Sequence, residues 1–238
     1  MNRKVVVLQL LNRVFYKTVG TSLNQYLGDP INILAHFSEY EANEILIMDI
    51  SDSESPDFAF LKLLGRHCDM PLSYVGNVRT LKHIQTIISL GFERVLIGEG
   101  MYQDPTLIKC AVDNYGTSTI GVIVNYEFKH GKRFVWHKKN LPEEYQLTKN
   151  FLSRIASLLV GEIILYCISF DGKRNGFDFD VLSIIPNSVN VNICGGCKSI
   201  QQIDESLKLF PMISFSAGTA FSLLPNNSVF LKYDRDLL

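Results

Sequence analysis

Short runs of apolar residues alternate with longer amphipathic segments along the chain, and the alternation occurs eight times. Most of the short runs are nearly continuous Val, Ile and Leu, which is typical of parallel strands buried on both faces. The predicted strands are Val5–Leu11, Glu44–Ile50, Pro71–Val75, Arg94–Ile97, Thr119–Val124, Glu162–Ile168, Val189–Ile193 and Met212–Phe215.

Segments with helical spacing of apolar residues fill the gaps between these runs. Three of them begin with proline at or near the first turn, where its missing N–H costs no hydrogen bond: Asp29-Pro30, Asp104-Pro105 and Leu141-Pro142-Glu143. The predicted helices are Pro30–Ala42, Phe58–Cys68, Leu81–Leu90, Pro105–Tyr115, Glu143–Val160, Asp178–Ile184, Ser199–Leu209 and a segment after Gly218.

Two pairs of segments repeat about half the chain apart. Residues 76–85 and 195–204 share glycine, a basic residue, Ser or Thr and the same apolar spacing. Gly98-Glu99-Gly100 and Ser216-Ala217-Gly218 follow the fourth and eighth predicted strands in the same way. Eight strand–helix units fit a closed barrel or an open doubly wound sheet, but an open sheet gives no reason for the repeat. We therefore predict the α/β class and a single (β/α)8 barrel over residues 1–238, built from two similar half-barrels.

The composition agrees with a barrel and disfavours some partners. The 238 residues are 47% hydrophobic and 20% charged, which supplies one large core. The net charge is −1 and there is no basic block, so we expect neither nucleic acid nor a membrane surface as the main partner. The apolar run after Lys4 is too short to span a membrane, and no small-residue cleavage site follows it. We expect a cytoplasmic protein.

The five cysteines are expected to be free thiols in a reducing compartment. Cys194 and Cys197 have the spacing of zinc and redox motifs. A zinc site needs about four ligands, however, and no second pair is evident. A thioredoxin-like setting is also absent. We therefore expect no metal and no cofactor.

Glycines after the last two predicted strands indicate a phosphate site. The turns are Gly195-Gly196 and Ser216-Ala217-Gly218, and glycine lets backbone N–H groups approach an anion closely. The alternative is that these glycines only make tight turns. In the first half, Gly76 keeps one glycine, whereas Glu99 introduces a carboxylate that repels anions. We expect a phosphorylated small molecule, with one good subsite and a weaker one at Gly76.

Two carboxylates and one predicted hairpin lie on the same side of the predicted barrel. Asp49 ends the second strand and Asp171 follows the sixth, and such a pair could perform acid–base chemistry. Helix capping and salt-bridging are the alternative, above all for Asp49. Residues 125–140 are basic and aromatic and predict a hairpin that turns at His130-Gly131. The hairpin is either a solvated excursion or a lid or partner-contacting loop.

An ordered set of motifs along the chain resembles the motifs of a known protein family. The set is Gly28-Asp29-Pro30, residues 46–50, Asp171-Gly172 with Gly176-Phe177-Asp178, and Cys194-Gly195-Gly196. In this order they resemble the cyclase subunit of imidazole glycerol phosphate synthase over nearly the whole chain. Within that family, Lys17-Thr18, residues 28–32 and residues 88–91 look most like a paralogous branch found with cell-surface polysaccharide genes.

The resemblance implies a partner and a reaction. A glutaminase docks on the amino-terminal face of such barrels, and ammonia passes through the barrel to the phosphate-bearing mouth. There two aspartates, at the ends of strands one and five, carry the acid–base chemistry. The corresponding positions here read Leu11, or Asn12 with a one-residue slip, and Asn125. An asparagine side chain exchanges no proton near neutral pH.

Three functions remain open at this point. The first is a barrel that pairs with a glutaminase and conducts ammonia to an amidotransferase acting on a cell-surface sugar. The second is a cyclase of histidine biosynthesis, a lyase that forms imidazole glycerol phosphate, in which Asp49 or Asp171 substitutes for the missing acids. The third is a barrel with neither activity.

Overall fold

The computed structural model describes residues 2–38, 42–104, 106–137 and 145–222. These residues form eleven strands: β1 Lys4–Leu11, β2 Val14–Val19, β3 Ser22–Gly28, β4 Glu44–Asp49, β5 Leu72–Val75, β6 Arg94–Ile97, β7 Ile120–Lys129, β8 Lys132–Val135, β9 Glu162–Cys167, β10 Val191–Cys194 and β11 Ile213–Ala217. Eight of them are parallel neighbours in the order β1-β4-β5-β6-β7-β9-β10-β11. The ring closes where β11 pairs with β1, with Lys4 opposite Phe215. The prediction of a closed (β/α)8 barrel is confirmed.

Helices connect the strands on the outside of the barrel. They are α1 Pro30–Ser38, α2 Phe58–Arg66, α3 Leu81–Ser89, α4 Gly100–Gln103, α5 Thr106–Tyr115, α6 Lys149–Ala156, α7 Ile200–Leu209 and α8 Thr219–Ser222, with a 3-10 helix at Phe179–Ile184. Hydroxyl caps fix several starts, because the side chains of Thr80, Thr148 and Ser199 accept backbone N–H groups of the first turn. Within the described ranges, no helix has the length and apolar character needed to cross a membrane.

Two helix predictions need correction. The helix predicted over 143–160 begins only at Lys149, where Thr148 caps it, and residues 143–144 lie outside the described residues. The segment predicted as a helix from Asp178 is a 3-10 helix that starts at Phe179. The half-barrel repeat remains a prediction.

The hairpin of β2 and β3 was not predicted. It continues β1 through a two-residue turn at Asn12-Arg13, where both φ angles are positive, at 50° and 64°. Such turns are usually signalled by Asn-Gly or Asp-Gly, and arginine at the second position hides the signal. β2 pairs with β1 and β3 pairs with β2, so the hairpin extends the sheet beyond the end of β1. Thr18 and Lys17 reach the barrel mouth on this hairpin.

The predicted turn at His130-Gly131 is confirmed. β7 runs past the barrel and pairs with β8 in antiparallel register from Tyr126 with Val135 to Lys129 with Lys132. His130 and Gly131 both have positive φ, at 50° and 73°. Because β7 is itself a barrel strand, the hairpin projects directly from the barrel wall.

Candidate functional site

The amino-terminal end of the barrel contains a group of paired charges, which we call the charged ring: Arg3, Glu44, Arg94 and Glu162. Arg3 forms ion pairs with both glutamates, and Arg94 Nη1 lies 2.9 Å from Glu44 Oε2. The Ser73 hydroxyl also donates to Glu44. Glu44 and Glu162 are buried, so every charge of the ring is largely shielded from water and held by a partner.

Above the charged ring, the barrel interior is apolar. Its residues alternate along each strand with those that face the helices, and they form a cluster separate from the outer core: Val5, Val7, Leu46, Met48, Val75, Leu96, Ile123 and Ile164. Asn192 also faces inwards, because it pairs in register with Ile164. Its Oδ1 accepts the Ser216 hydroxyl at 2.6 Å, while its Nδ2 finds no partner among the described residues.

Two cavities open at the carboxyl ends of the strands. The central cavity has a volume of about 300 Å³, and its walls include Gln9, Asn77, Glu99, Asn125 and Trp136. The side cavity, about 30 Å³, lies between the β2–β3 hairpin and the turns after β10 and β11. Gln9, Thr18 and Tyr166 line both cavities, so the two spaces share one wall.

Asp171 lies at this shared wall in a hydrogen-bonded chain. It accepts the Thr18 hydroxyl, the Tyr166 hydroxyl interacts with it, and Gln9 Nε2 donates to the Tyr166 hydroxyl at 3.0 Å. Burial raises the pKa of Asp171 to about 6, although the two hydroxyls partly oppose the shift. A carboxyl with that pKa can exchange a proton near neutral pH, and the acid–base role of Asp171 stays a prediction.

Asp49 occupies a different environment. Its Oδ2 accepts the Tyr74 hydroxyl at 2.8 Å, and its Oδ1 accepts the backbone N–H of Ser51 at 2.9 Å. Both carboxylate oxygens therefore have structural partners at the end of β4, and these contacts are neither a helix cap nor a salt bridge. The residue still borders the central cavity.

The turns predicted to bind phosphate meet at the side cavity. Gly195, Gly196, Ala217 and Gly218 all line it, whereas the Ser216 hydroxyl turns inwards to Asn192. Gly195 has a φ of +95°, and a Cβ there would lie 2.6 Å from the Cys167 carbonyl oxygen. Tight packing alone therefore requires this glycine, and the alternative of a purely structural turn explains part of the pattern.

Two cations accompany these turns, and neither was singled out as a site residue. Lys17 is buried and lines the side cavity, and burial, followed by the charge of Arg174, lowers its pKa. Arg174 Nη2 donates to the Thr219 carbonyl at 3.2 Å, directly beyond Gly218. An anion in the side cavity would relieve the repulsion between the two cations, which favours the phosphate interpretation.

The weaker subsite at Gly76 borders the central cavity. A Cβ on Gly76 would lie 2.5 Å from the Asp49 carbonyl oxygen, so the turn packs directly on the end of β4. Asn77 Nδ2 donates to the hydroxyl of Ser53 at 3.0 Å, and Arg79 Nη2 donates to its carbonyl at 3.2 Å. Glu99 also faces the cavity, as the sequence indicated.

Of the two positions that correspond to the aspartates of the family, only the second borders the cavity. Leu11 pairs with Val14 beside the hairpin turn, and Gln9 is the β1 residue that lines both cavities. Asn125 lines the central cavity as predicted. Sequence reasoning missed Gln9 because it counted to the last residue of the apolar run, although the alternation from Val5 and Val7 leads to Gln9.

The β7–β8 hairpin covers part of the mouth. Trp136 follows β8, its backbone N–H donates to the backbone carbonyl of Asn125 at 2.8 Å, and its side chain packs on the interior cluster. Arg133 anchors the hairpin through two hydrogen bonds of 2.7 and 2.6 Å to the buried Asp178, which also accepts the Tyr126 hydroxyl at 2.9 Å. These contacts favour the lid interpretation over a solvated excursion.

The cysteines near the site are packed as apolar residues. Cys167, Cys194 and Cys197 are buried, and burial raises the pKa of each thiol, to about 11 for Cys167 and about 12 for Cys197. Thiols of this kind are poor nucleophiles and poor metal ligands. Across the described ranges, no group of three or more His, Cys, Asp or Glu residues is placed to hold a metal ion.

Comparison with known proteins shows which protein family this chain is similar to. The sequence profile described as "Histidine biosynthesis protein" matches residues 10–221. A Pseudomonas aeruginosa protein, provisionally named imidazole glycerol phosphate synthase subunit hisF2, is 30% identical over 225 residues, which cover 92% of this chain and 90% of the relative. The provisionally named subunit hisF3 of Vibrio vulnificus is 28% identical over 92% of this chain and 87% of its own. An Exiguobacterium protein named imidazole glycerol phosphate synthase subunit HisF is 26% identical, over 76% and 73%.

Proposed function

The chain belongs to the histidine biosynthesis protein family, and on that premise we propose that it is a HisF-like barrel that receives ammonia from a glutaminase and conducts it to an amidotransferase. The acceptor of the nitrogen in this proposal is a cell-surface sugar. The observation that carries the proposal is the pair of neutral amides, Gln9 and Asn125, at the end of an apolar barrel interior. A conduit needs no acid–base pair, whereas a cyclase does.

The amino-terminal face offers a surface for the glutaminase. Leu159, Leu209 and Met212 lie in the connections that enter β9 and β11, and they are 67%, 72% and 72% exposed. Large apolar side chains as open to water as these are typical of a protein interface. A partner seated there would cover the charged ring as well.

The interior above the ring suits ammonia better than ammonium. The apolar side chains of the interior cluster line it, and a cation there would lose its hydration without gaining a charged partner. Neutral ammonia pays a much smaller desolvation cost. The unpartnered Nδ2 of Asn192 can donate to its lone pair part of the way along. In this proposal the ion pairs of the charged ring must separate for ammonia to enter.

The mouth supports a phosphorylated ligand, for which Lys17, Arg174 and the glycine turns at Gly196 and Gly218 supply the anion site. Relatives named as second and third copies of the subunit favour a role beside the histidine pathway rather than in it. That naming and the resemblance to the polysaccharide-associated branch are the grounds for choosing a sugar.

The first experiment supplies the purified chain with excess ammonium and the ribulosyl-aminoimidazole-carboxamide nucleotide of the histidine pathway. Because ammonia is provided directly, the assay isolates the chemistry of the barrel from that of a glutaminase. We expect no imidazole glycerol phosphate from folded protein. Turnover within tenfold of an ordinary median of roughly 10 s⁻¹ would refute the conduit proposal.

One observation favours a second candidate, the cyclase itself. Asp171 is half-buried at the mouth with a pKa of about 6 and could replace one missing acid. If this candidate holds, cyclase activity falls by about 10²–10⁴-fold in Asp171→Asn. Asp180→Asn, a change in the nearby 3-10 helix, is the matched control and should leave the rate unchanged.

A further inference from the structure

Two buried carbonyl oxygens at the mouth have no hydrogen-bond partner among the described residues. They are Gln9 Oε1 and Asn125 Oδ1. Gln9 is only 8% exposed, and both residues line the central cavity. A buried acceptor left unpaired costs about 1–3 kcal/mol, so two of them on residues that line one cavity indicate a ligand that donates hydrogen bonds.

The hydrogen-bonded chain at the shared wall sets the orientation of the Gln9 amide. The Tyr166 hydroxyl interacts with Asp171, and a carboxylate only accepts, so the hydroxyl proton is directed to Asp171 and the hydroxyl oxygen is left to accept a hydrogen bond. Because the Tyr166 hydroxyl accepts, the Gln9 atom that lies 3.0 Å from it must be the donor Nε2 and not the oxygen. The oxygen is therefore directed away from Tyr166, and a donor from outside the chain is required to satisfy it.

The two oxygens come from opposite walls. In the closed ring β1-β4-β5-β6-β7-β9-β10-β11, strand β7 stands four places from β1 in either direction. Gln9 on β1 and Asn125 on β7 therefore face the barrel axis from across the mouth. Below them lies the apolar interior, which offers a polar ligand little else to bind.

We propose that Gln9 Oε1 and Asn125 Oδ1 form an acceptor pair that binds nitrogen bearing N–H donors at the carboxyl end of the barrel. The ligand is ammonia that leaves the interior, or the amino group of a phosphorylated molecule held in the side cavity. Neither amide can remove a proton from the ligand, so the pair binds and orients it. The inference rests on the proposed function only for the source of the ammonia.

The test follows the side-chain amide signals of the glutamines and asparagines by NMR in the ¹⁵N-labelled full chain, with Gln9→Leu and Asn125→Leu used to assign them. One arm titrates ammonium chloride against potassium chloride at equal ionic strength. The other compares glucosamine 6-phosphate with glucose 6-phosphate, which differ only at C2, where the first carries an amino group and the second a hydroxyl. Gln201, on the exposed face of α7, is the internal control, and Gln201→Leu is the matched variant.

We expect the Gln9 and Asn125 signals to shift on addition of ammonium or glucosamine 6-phosphate. They should not shift with potassium or glucose 6-phosphate. The responding arm identifies the source of the N–H groups. Each leucine variant should weaken binding about 2- to 10-fold, the equivalent of one net hydrogen bond, and Gln201→Leu should not.

Signals that follow potassium as well as ammonium, or that remain fixed with both amines, would overturn the proposal. A variant that loses dispersion of its backbone signals is replaced by Gln9→Met or Asn125→Ser, which conserve more of the volume. Failure of this test leaves the glutaminase proposal intact, because partner binding is measured at the opposite end of the barrel. Loss of partner binding would in turn leave these titrations unaffected.

Discussion

The two ends of the barrel handle polar groups in opposite ways. At the amino-terminal end, Arg3, Arg94, Glu44 and Glu162 satisfy one another within the charged ring. At the carboxyl end, the oxygens of Gln9 and Asn125 are buried and unsatisfied by the described residues. The first arrangement is complete without a ligand and the second is not. The polar groups of the amino-terminal end are therefore satisfied within the chain, whereas the carboxyl end keeps hydrogen-bond acceptors free for a small-molecule ligand.

Breaking the charged ring should have the largest effect. In Glu44→Gln the guanidinium of Arg94 loses its carboxylate and Arg3 keeps only Glu162. Removing one partner from a buried ion pair costs about 3–5 kcal/mol, so urea denaturation should show a loss of that order in the free energy of unfolding. Asp204→Asn breaks a pair with Lys4 that is more open to water and should cost less than about 1 kcal/mol. Equal losses in the two variants would mean that the ring is not the stabilising feature.

A substitution of Asp171 at the mouth should instead raise the free energy of unfolding above pH 6. The pKa of Asp171 is raised in the folded chain to about 6, from about 3.9 in an unfolded one, so folding favours the protonated carboxyl. The stabilisation is complete below about pH 4 and is lost as the pH rises through 6, by about 2–3 kcal/mol in total.

Asp171→Asn removes that pH dependence. We expect the variant to gain about 2 kcal/mol over the parent chain at pH 7.5 and to lose the advantage near pH 4.5. Urea denaturation at the two pH values measures the difference. A constant difference between variant and parent across this range would show that Asp171 does not titrate there.

Polar substitutions on the amino-terminal face should change stability least. Leu209→Asp with Met212→Asp alters two side chains that are each 72% exposed, so the free energy of unfolding should move by less than about 0.5 kcal/mol per site. Binding of a glutaminase from the same organism, measured by calorimetry, should weaken at least about tenfold. Leu63→Asp, also exposed but on α2, is the control and should bind as the parent does.

The barrel could be predicted because its strands are buried on both sides. Continuous apolar runs such as Glu162–Cys167 need no knowledge of their neighbours, and glycine turns such as Gly195-Gly196 mark strand ends by backbone geometry alone. The charged ring could not be found in this way. Arg3, Glu44, Arg94 and Glu162 each stand at or next to the start of a strand, and an isolated charge before an apolar run usually faces water.

The candidate site was predicted only in part, for a related reason. Asp171 and the glycine turns follow barrel strands directly, and position alone identifies them. Thr18 and Lys17 reach the mouth on a hairpin whose Asn12-Arg13 turn gives little local signal. The Thr18–Asp171 contact joins residues far apart in the chain, and only the closed ring brings them together.

The anchoring of the β7–β8 hairpin decides how a ligand can arrive. At its base the hairpin is continuous with a barrel strand, and beyond the turn Arg133 is held to Asp178 by two charged hydrogen bonds. A cover attached at both places is a fixed roof and not a hinged flap. Ligands should then exchange along the open rim of the mouth, at rates set by diffusion and dehydration instead of loop opening. Slow association in stopped-flow mixing would show that the roof moves.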